Sequence, residues 1–70
     1  MNNIKYCKIC NAIANSIFTY PDGSNSLNLC TEHFNKIYQY YVTLAKQVNS
    51  NEMTLTQLIE QLTTYMEGLQ

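Results

Sequence analysis

The chain has 70 residues, of which 46% are hydrophobic, and its four lysines stand against five acidic residues for a formal net charge of −1. This length allows one domain, the apolar content argues against disorder, and the low positive charge argues against a strong nucleic-acid footprint. No apolar run approaches the ~20 residues that cross a bilayer, and residues 1–5 do not resemble a signal peptide. We therefore expect a single domain over residues 1–70, with no membrane segment, in the reducing cytoplasm.

A core of this size rarely contributes more than ~3–5 kcal/mol, so the chain is expected to need a cross-link or a partner subunit. The three cysteines are an odd number, and a reducing compartment disfavours disulfides. A bound metal is therefore the cross-link that the composition favours.

The first element along the chain is the pair Cys7 and Cys10 in a C-x2-C motif. Asn11 follows, where a metal-binding turn often has glycine, and asparagine is the next best residue at positive φ. Residues 17–20 are β-branched or aromatic, residues 21–24 read Pro-Asp-Gly-Ser, and residues 27–29 alternate apolar and polar side chains. This pattern predicts a β-hairpin, so residues 1–33 form a metal knuckle and a hairpin.

Two helices are predicted next. Thr31 is a suitable N-cap for a first helix over residues 31–49. Its apolar residues recur at spacings of three and four along one face: Phe34, Ile37, Tyr41, Leu44 and Val48. Thr54 and Gln57 form a capping-box pattern, with Met53 and Leu58 in the positions of a hydrophobic staple. A second apolar stripe predicts a helix over residues 54–69, packed as an antiparallel helical hairpin: Leu55, Leu58, Leu62, Tyr65 and Leu69.

Four residues form a two-by-two ligand pattern: Cys7, Cys10, Cys30 and His33. Zinc prefers four tetrahedral sulfur or nitrogen donors, and C-x2-C with C-x2-H lets each pair bind from one turn. We expect one structural Zn²⁺ per chain. Because the protein fills every coordination position, no open position activates water, and we do not expect an enzyme.

Three other interpretations remain open for these residues. The thiols are buried packing residues, or Cys7 and Cys10 form a thioredoxin-like redox pair, although that pair needs a βαβ setting. Alternatively His33 lies on the helix surface and the metal site has three cysteines or spans two subunits. The matched spacing of the two pairs favours the four-ligand zinc site.

The motifs CKIC at 7–10 and LCTEH at 29–33, followed by a helix, resemble the treble-clef zinc-finger fold over residues 6–49. The predicted fold class is thus a small α+β zinc-bound domain, a treble-clef-like knuckle and hairpin followed by two helices. The chain also resembles the small Gin-type anti-sigma factors of bacteria and phages, with His33 in place of their last cysteine. That resemblance implies a zinc-bound homodimer that sequesters a transcription factor.

The helical half carries more apolar side chains than a solvated helical hairpin needs. We predict a protein-interaction regulator, either a homodimer or a protein that binds a sigma factor or RNA polymerase subunit, and expect the contact at flanking residues: Tyr38, Tyr40, Ile59 and Met66. The alternative is a nucleic-acid-binding transcriptional regulator. Its candidate contacts are lysines near the metal and two aromatic faces: Lys5, Lys8, Lys36, Tyr6 and Tyr20. The absence of arginine weighs against base readout.

Overall fold

A computed structural model of the chain describes residues 4–70. Its elements are β1 (Ser16–Thr19), β2 (Ser26–Leu29), α1 (Thr31–Asn49) and α2 (Leu55–Leu69). The predicted α+β fold class is confirmed, because a β-hairpin is followed by two packed helices. Residues 1–3 of the predicted single domain lie outside the described residues.

The hairpin pairs β1 with β2 in antiparallel register, from Ser16 opposite Leu29 to Thr19 opposite Ser26. Gly23 has φ +75 in the connecting turn, where a side chain would be strained. Along β1, Phe18 is buried while Ile17 is 64% exposed. The hairpin therefore buries one face and leaves apolar side chains on the other.

The N-cap of α1 is Cys30, so the prediction that Thr31 caps this helix is wrong. Thr31 already has helical geometry, and its hydroxyl donates to Asn15 Oδ1 at 3.0 Å instead of accepting from the first-turn amides. Cys30 makes no side-chain capping bond, and its Sγ lies 3.3 Å from His33 Nδ1. Cys30, a candidate metal ligand, thus occupies the N-cap position, where a Ser, Thr, Asp or Asn side chain would usually accept a hydrogen bond from the first turn.

The capping box of α2 is confirmed. Thr54 Oγ1 accepts from the backbone N–H of Gln57 at 3.1 Å, and Gln57 Oε1 accepts from the backbone N–H of Thr54 at 2.9 Å. Asn51, at φ 63, reverses the chain between the two helices. This turn lets α2 fold back along α1 and return to the hairpin.

We expect Thr54→Ala to lower the free energy of unfolding by about 0.5–2 kcal/mol, because it leaves the amide of Gln57 without its acceptor. Urea titration followed by far-UV circular dichroism measures this loss. The matched control is Thr56→Ala, since Thr56 lies exposed in the same first turn. Equal losses in the two variants would contradict the role of the capping box.

The core joins the hairpin to both helices. Its buried residues come from every element and from the first metal-binding turn: Cys7, Phe18, Tyr20, Leu29, Ile37, Leu44, Leu58, Leu62 and Met66. Tyr20 contacts α2 through its hydroxyl, 3.1 Å from Thr63 Oγ1, and donates to Met66 Sδ at 3.8 Å. These contacts hold the later half of α2 against the hairpin that positions the candidate metal ligands.

Within residues 4–70, neither helix is both long enough and apolar enough to cross a membrane.

Candidate metal centre

The structure brings the four predicted ligands together at one end of the molecule. The donor atoms of Cys7, Cys10, Cys30 and His33 all lie within 4.8 Å of one another. Cys10 Sγ is 3.7 Å from Cys30 Sγ, and His33 Nδ1 is 3.3 Å from Cys30 Sγ and 3.8 Å from Cys7 Sγ. Residues 23 positions apart in sequence therefore converge on one small volume.

Three of the six separations between these donor atoms are close to the edges of a coordination tetrahedron. Zinc–sulfur bonds of about 2.3 Å and zinc–nitrogen bonds of about 2.0–2.1 Å place two sulfurs about 3.8 Å apart and a sulfur and nitrogen about 3.5 Å apart. The observed separations of 3.7, 3.3 and 3.8 Å are close to those edges. Three thiolates and an imidazole are also soft or borderline donors, so the group can hold a metal ion such as zinc.

The first half-site is a tight turn between Cys7 and Cys10. The backbone N–H of Asn11 donates to the carbonyl of Cys7 at 2.9 Å, and Asn11 has φ 64. The predicted positive φ of Asn11 is confirmed. Tyr6 and Ile13, on either side of this turn, pair in an isolated antiparallel bridge, so the two ends of the turn are held together.

The second half-site is the start of α1. Cys30 is the N-cap and His33 lies three residues later, so both side chains project from the same side of the first turn. The nearest ring nitrogen of His33 is Nδ1. The imidazole thus faces the sulfurs with the nitrogen closer to the backbone, which suits a ligand so near its partner in sequence.

The hairpin joins the two half-sites. The backbone N–H of Lys8 donates to the carbonyl of Asn28 at 2.9 Å, and that of Asn15 donates to Leu29 at 3.2 Å. The first turn is thereby fastened to the strand that leads directly into Cys30. The paired hairpin thus brings the Cys7–Cys10 turn next to the Cys30–His33 turn.

The thiols of the first half-site differ in pKa. Burial raises the pKa of Cys7, but backbone N–H groups of Cys30, Cys10 and Ile9 outweigh it and lower the pKa to about 6. For Cys10 the N–H of Ala12 lowers the pKa, yet desolvation and the neighbouring thiols leave it raised above its usual value. The backbone therefore favours a thiolate at Cys7, the form that binds metals.

The residues predicted as a partner surface are dispersed. Tyr38 is 48% exposed and stacks on Phe34, with ring centroids 5.8 Å apart. Tyr40 stacks on Tyr65 of α2 at 4.3 Å. Ile59 packs against the core and Met66 is only 4% exposed. Met66 lies in the core, so it forms no part of an exposed surface, and Tyr40 and Ile59 are half-buried.

The candidate nucleic-acid contacts differ in exposure. Tyr20 is buried and cannot stack on a base, whereas Tyr6 is 54% exposed. Lys36 Nζ lies 3.6 Å from Glu32 on the exposed side of α1, and Lys5 and Lys8 are exposed near the first half-site.

Sequence reasoning did not single out Ile13 and Ile17, which are 66% and 64% exposed. The signal that could have identified Ile17 was the strand alternation, because Phe18 faces the core and its neighbours must face outward.

Comparisons with protein-family models, with curated proteins and with solved structures found no match for this chain. The candidate metal centre is therefore assigned from the chemistry of its donors and their distances.

Proposed function

We propose that the protein is a zinc-stabilised interaction module that regulates a protein partner, with one structural Zn²⁺ per chain held by Cys7, Cys10, Cys30 and His33. The donor set and the convergence of its donor atoms within 4.8 Å support this metal. Four protein donors complete the coordination shell, so the metal would cross-link the fold and would not activate a substrate. A non-enzymatic role follows from that closed shell.

The observation that carries the proposal is the number of large apolar side chains left in solvent. Within residues 4–70, six of them are more than 40% exposed: Ile4, Tyr6, Ile13, Ile17, Tyr38 and Leu55. Tyr6 and Ile13 lie opposite each other as a non-hydrogen-bonded antiparallel pair. The side chains of such a pair approach each other closely. A chain that leaves this many large apolar side chains exposed is suited to contact another protein.

The partner class follows from the resemblance to Gin-type anti-sigma factors. A sigma factor or another RNA polymerase subunit is the first candidate, and inhibition is the expected outcome. The resemblance to the treble-clef fold supports a fold that depends on a bound metal, but it does not indicate which partner is bound. Self-association into a homodimer is part of the same proposal.

The test is a binding titration of the zinc-loaded chain against purified sigma factors and core RNA polymerase from the organism that encodes it. Ile13→Ser combined with Ile17→Ser should weaken binding at least tenfold, because it removes exposed apolar contacts without touching the core. Leu55→Ser is the matched control, since Leu55 is 41% exposed but lies at the start of α2. Tyr38→Ser tests the helical surface. Binding that neither Tyr38→Ser nor the combined Ile13→Ser and Ile17→Ser variant weakens would contradict an apolar interaction surface.

Self-association is a separate expected outcome. We expect light scattering at micromolar concentration to give a mass near twice 8.1 kDa. The physical reason is that two chains can bury their exposed apolar side chains against each other, which removes apolar surface from water, and few charges oppose the contact. A mass of one chain across the concentration series would instead favour a surface reserved for a different protein.

If the protein is an interaction module and not a nucleic-acid-binding regulator, its binding to DNA or RNA should be weak and sensitive to salt. With about three lysines near one face, the logarithmic salt slope on duplex DNA should be no steeper than about −2.7, and binding should vanish between about 50 and 200 mM salt. Replacing Lys5, Lys8 and Lys36 with alanine tests this directly. If that variant loses both DNA binding and regulation, the result would favour nucleic-acid binding over the protein-interaction proposal.

A further inference from the structure

We propose that Cys10 and Cys30 form a peroxide-sensitive thiol pair, whose oxidation to a disulfide releases the metal while the first turn stays attached to α1. The inference rests on the proposed zinc site, but it concerns which cysteines react and what the reaction leaves intact. The spacing of Cys7 and Cys10 is the one usual for redox disulfides, although that motif needs a βαβ setting. The structure points to the pair that spans the hairpin.

Proximity is the first observation. The two sulfurs of Cys10 and Cys30 lie 3.7 Å apart. A disulfide needs them about 2.0 Å apart, so closure requires the two sulfurs to approach by under about 2 Å. Cys10 is in the turn and Cys30 is the N-cap of α1, so neither is in the interior of a helix or strand.

Access is the second observation. Cys10 is exposed and Cys30 is partly exposed, whereas Cys7 is only 3% exposed. Cys7 Sγ also accepts from the backbone N–H of Ile9 at 3.4 Å, on the inner side of the turn. A dissolved oxidant therefore reaches Cys10 first, and the partly exposed sulfur of Cys30 lies 3.7 Å from it.

The reaction balances with a hydroperoxide as the oxidant. Zinc binding would hold Cys10 in its deprotonated form, although the pKa of the free thiol is raised. The thiolate of Cys10 attacks the peroxide oxygen, the O–O bond breaks, and a sulfenic acid forms with release of hydroxide (or alkoxide). The thiolate of Cys30 then attacks that sulfur, the S–O bond breaks, and a second hydroxide leaves as the disulfide forms. Two electrons pass from the two sulfurs to the peroxide. Only Cys7 and His33 remain as donors, too few to retain the metal.

The product keeps the connection that the metal supplied. A Cys10–Cys30 bond encloses residues 11–29, the hairpin segment, and ties the first turn to the start of α1. Oxidation at Cys7 and Cys10 would instead lie within one turn and leave that turn unattached to α1. We therefore expect the oxidised chain to lose its metal but keep its helices, and thiol reduction with added zinc to restore the original state.

Lysine positions make the test direct. Trypsin cleaves after lysine, so Cys7 falls in the peptide 6–8, whereas Cys10 and Cys30 fall together in the peptide 9–36. The full-length zinc-loaded chain is treated with hydrogen peroxide, its remaining thiols are blocked with N-ethylmaleimide under denaturing conditions, and the digest is analysed by mass spectrometry without reduction. A chromogenic chelator follows zinc release in parallel.

We expect release of about one zinc per chain as the peptide 9–36 becomes lighter by two hydrogen atoms, with peptide 6–8 carrying one maleimide label. Far-UV circular dichroism should retain most of its helical signal. A cross-link between peptides 6–8 and 9–36, a link between two copies of peptide 9–36, or over-oxidation of one cysteine overturns the proposal, as does retention of all three thiols under peroxide.

Two further results separate this inference from the zinc proposal. A chain purified without zinc that still forms the internal disulfide contradicts the metal and supports the thiol pair. Cys7→Ser should form the same internal disulfide, whereas Cys10→Ser should form none. The peptide map of the unmodified sequence decides the pairing even if either variant fails to fold.

Discussion

Removal of zinc by a chelator is expected to unfold the first turn and hairpin and to loosen α1 at its N-terminus. Structural zinc contributes apparent energies of about 10–16 kcal/mol, well above the ~3–5 kcal/mol that a core of this size supplies. Metal analysis should give one zinc per chain, and far-UV circular dichroism with amide NMR should record the loss of structure when zinc is removed. Re-addition of zinc should restore both signals.

Replacement of one ligand tests the same expectation without a chelator. Cys30→Ser should abolish stoichiometric zinc binding and be more destabilising than any tyrosine substitution, because Cys30 is both a donor and the N-cap of α1. Tyr38→Ser is the comparison, since Tyr38 lies exposed on the same helix. A zinc-free chain with an unchanged far-UV spectrum would refute the metal as the cross-link of this fold.

The second large effect is expected in the helical half. Leu62 is fully buried, and Leu62→Ala should lower the free energy of unfolding by about 2–5 kcal/mol through lost burial and a residual cavity. That loss rivals the whole contribution expected of the core, so the variant should depend on zinc for any remaining structure. Thermal and urea unfolding of the zinc-loaded chain measure the effect.

Leu55→Ala is the matched control for this experiment. Leu55 is a leucine of the same helix, but it is 41% exposed. Its substitution should lower the free energy of unfolding by well under half of the Leu62 value, because less apolar area is removed from the interior. Similar losses for the two leucines would mean that α2 is not packed against α1 and the hairpin as described.

Local patterns in the sequence determined much of the architecture. The turn at residues 21–24 lies between two paired strands, the helix over residues 31–49 was predicted with its observed bounds, and the Thr54 capping box is present. Asn11 adopts the positive φ expected of it. Each of these depends on neighbours within about four residues, so spacing and residue type were sufficient to predict them.

The tertiary structure decided what long-range contacts control. The stacking of Tyr40 on Tyr65 and the burial of Met66 against Tyr20 depend on how α2 returns to the hairpin, which periodicity does not specify. The same packing left Ile13 and Ile17 exposed to solvent, and it buried Cys7 while leaving Cys10 exposed. The spacing within each pair was sufficient to predict the four ligands, because C-x2-C and C-x2-H are patterns within four residues. Their convergence within 4.8 Å required the hairpin to carry Cys30 and His33 back to the first turn.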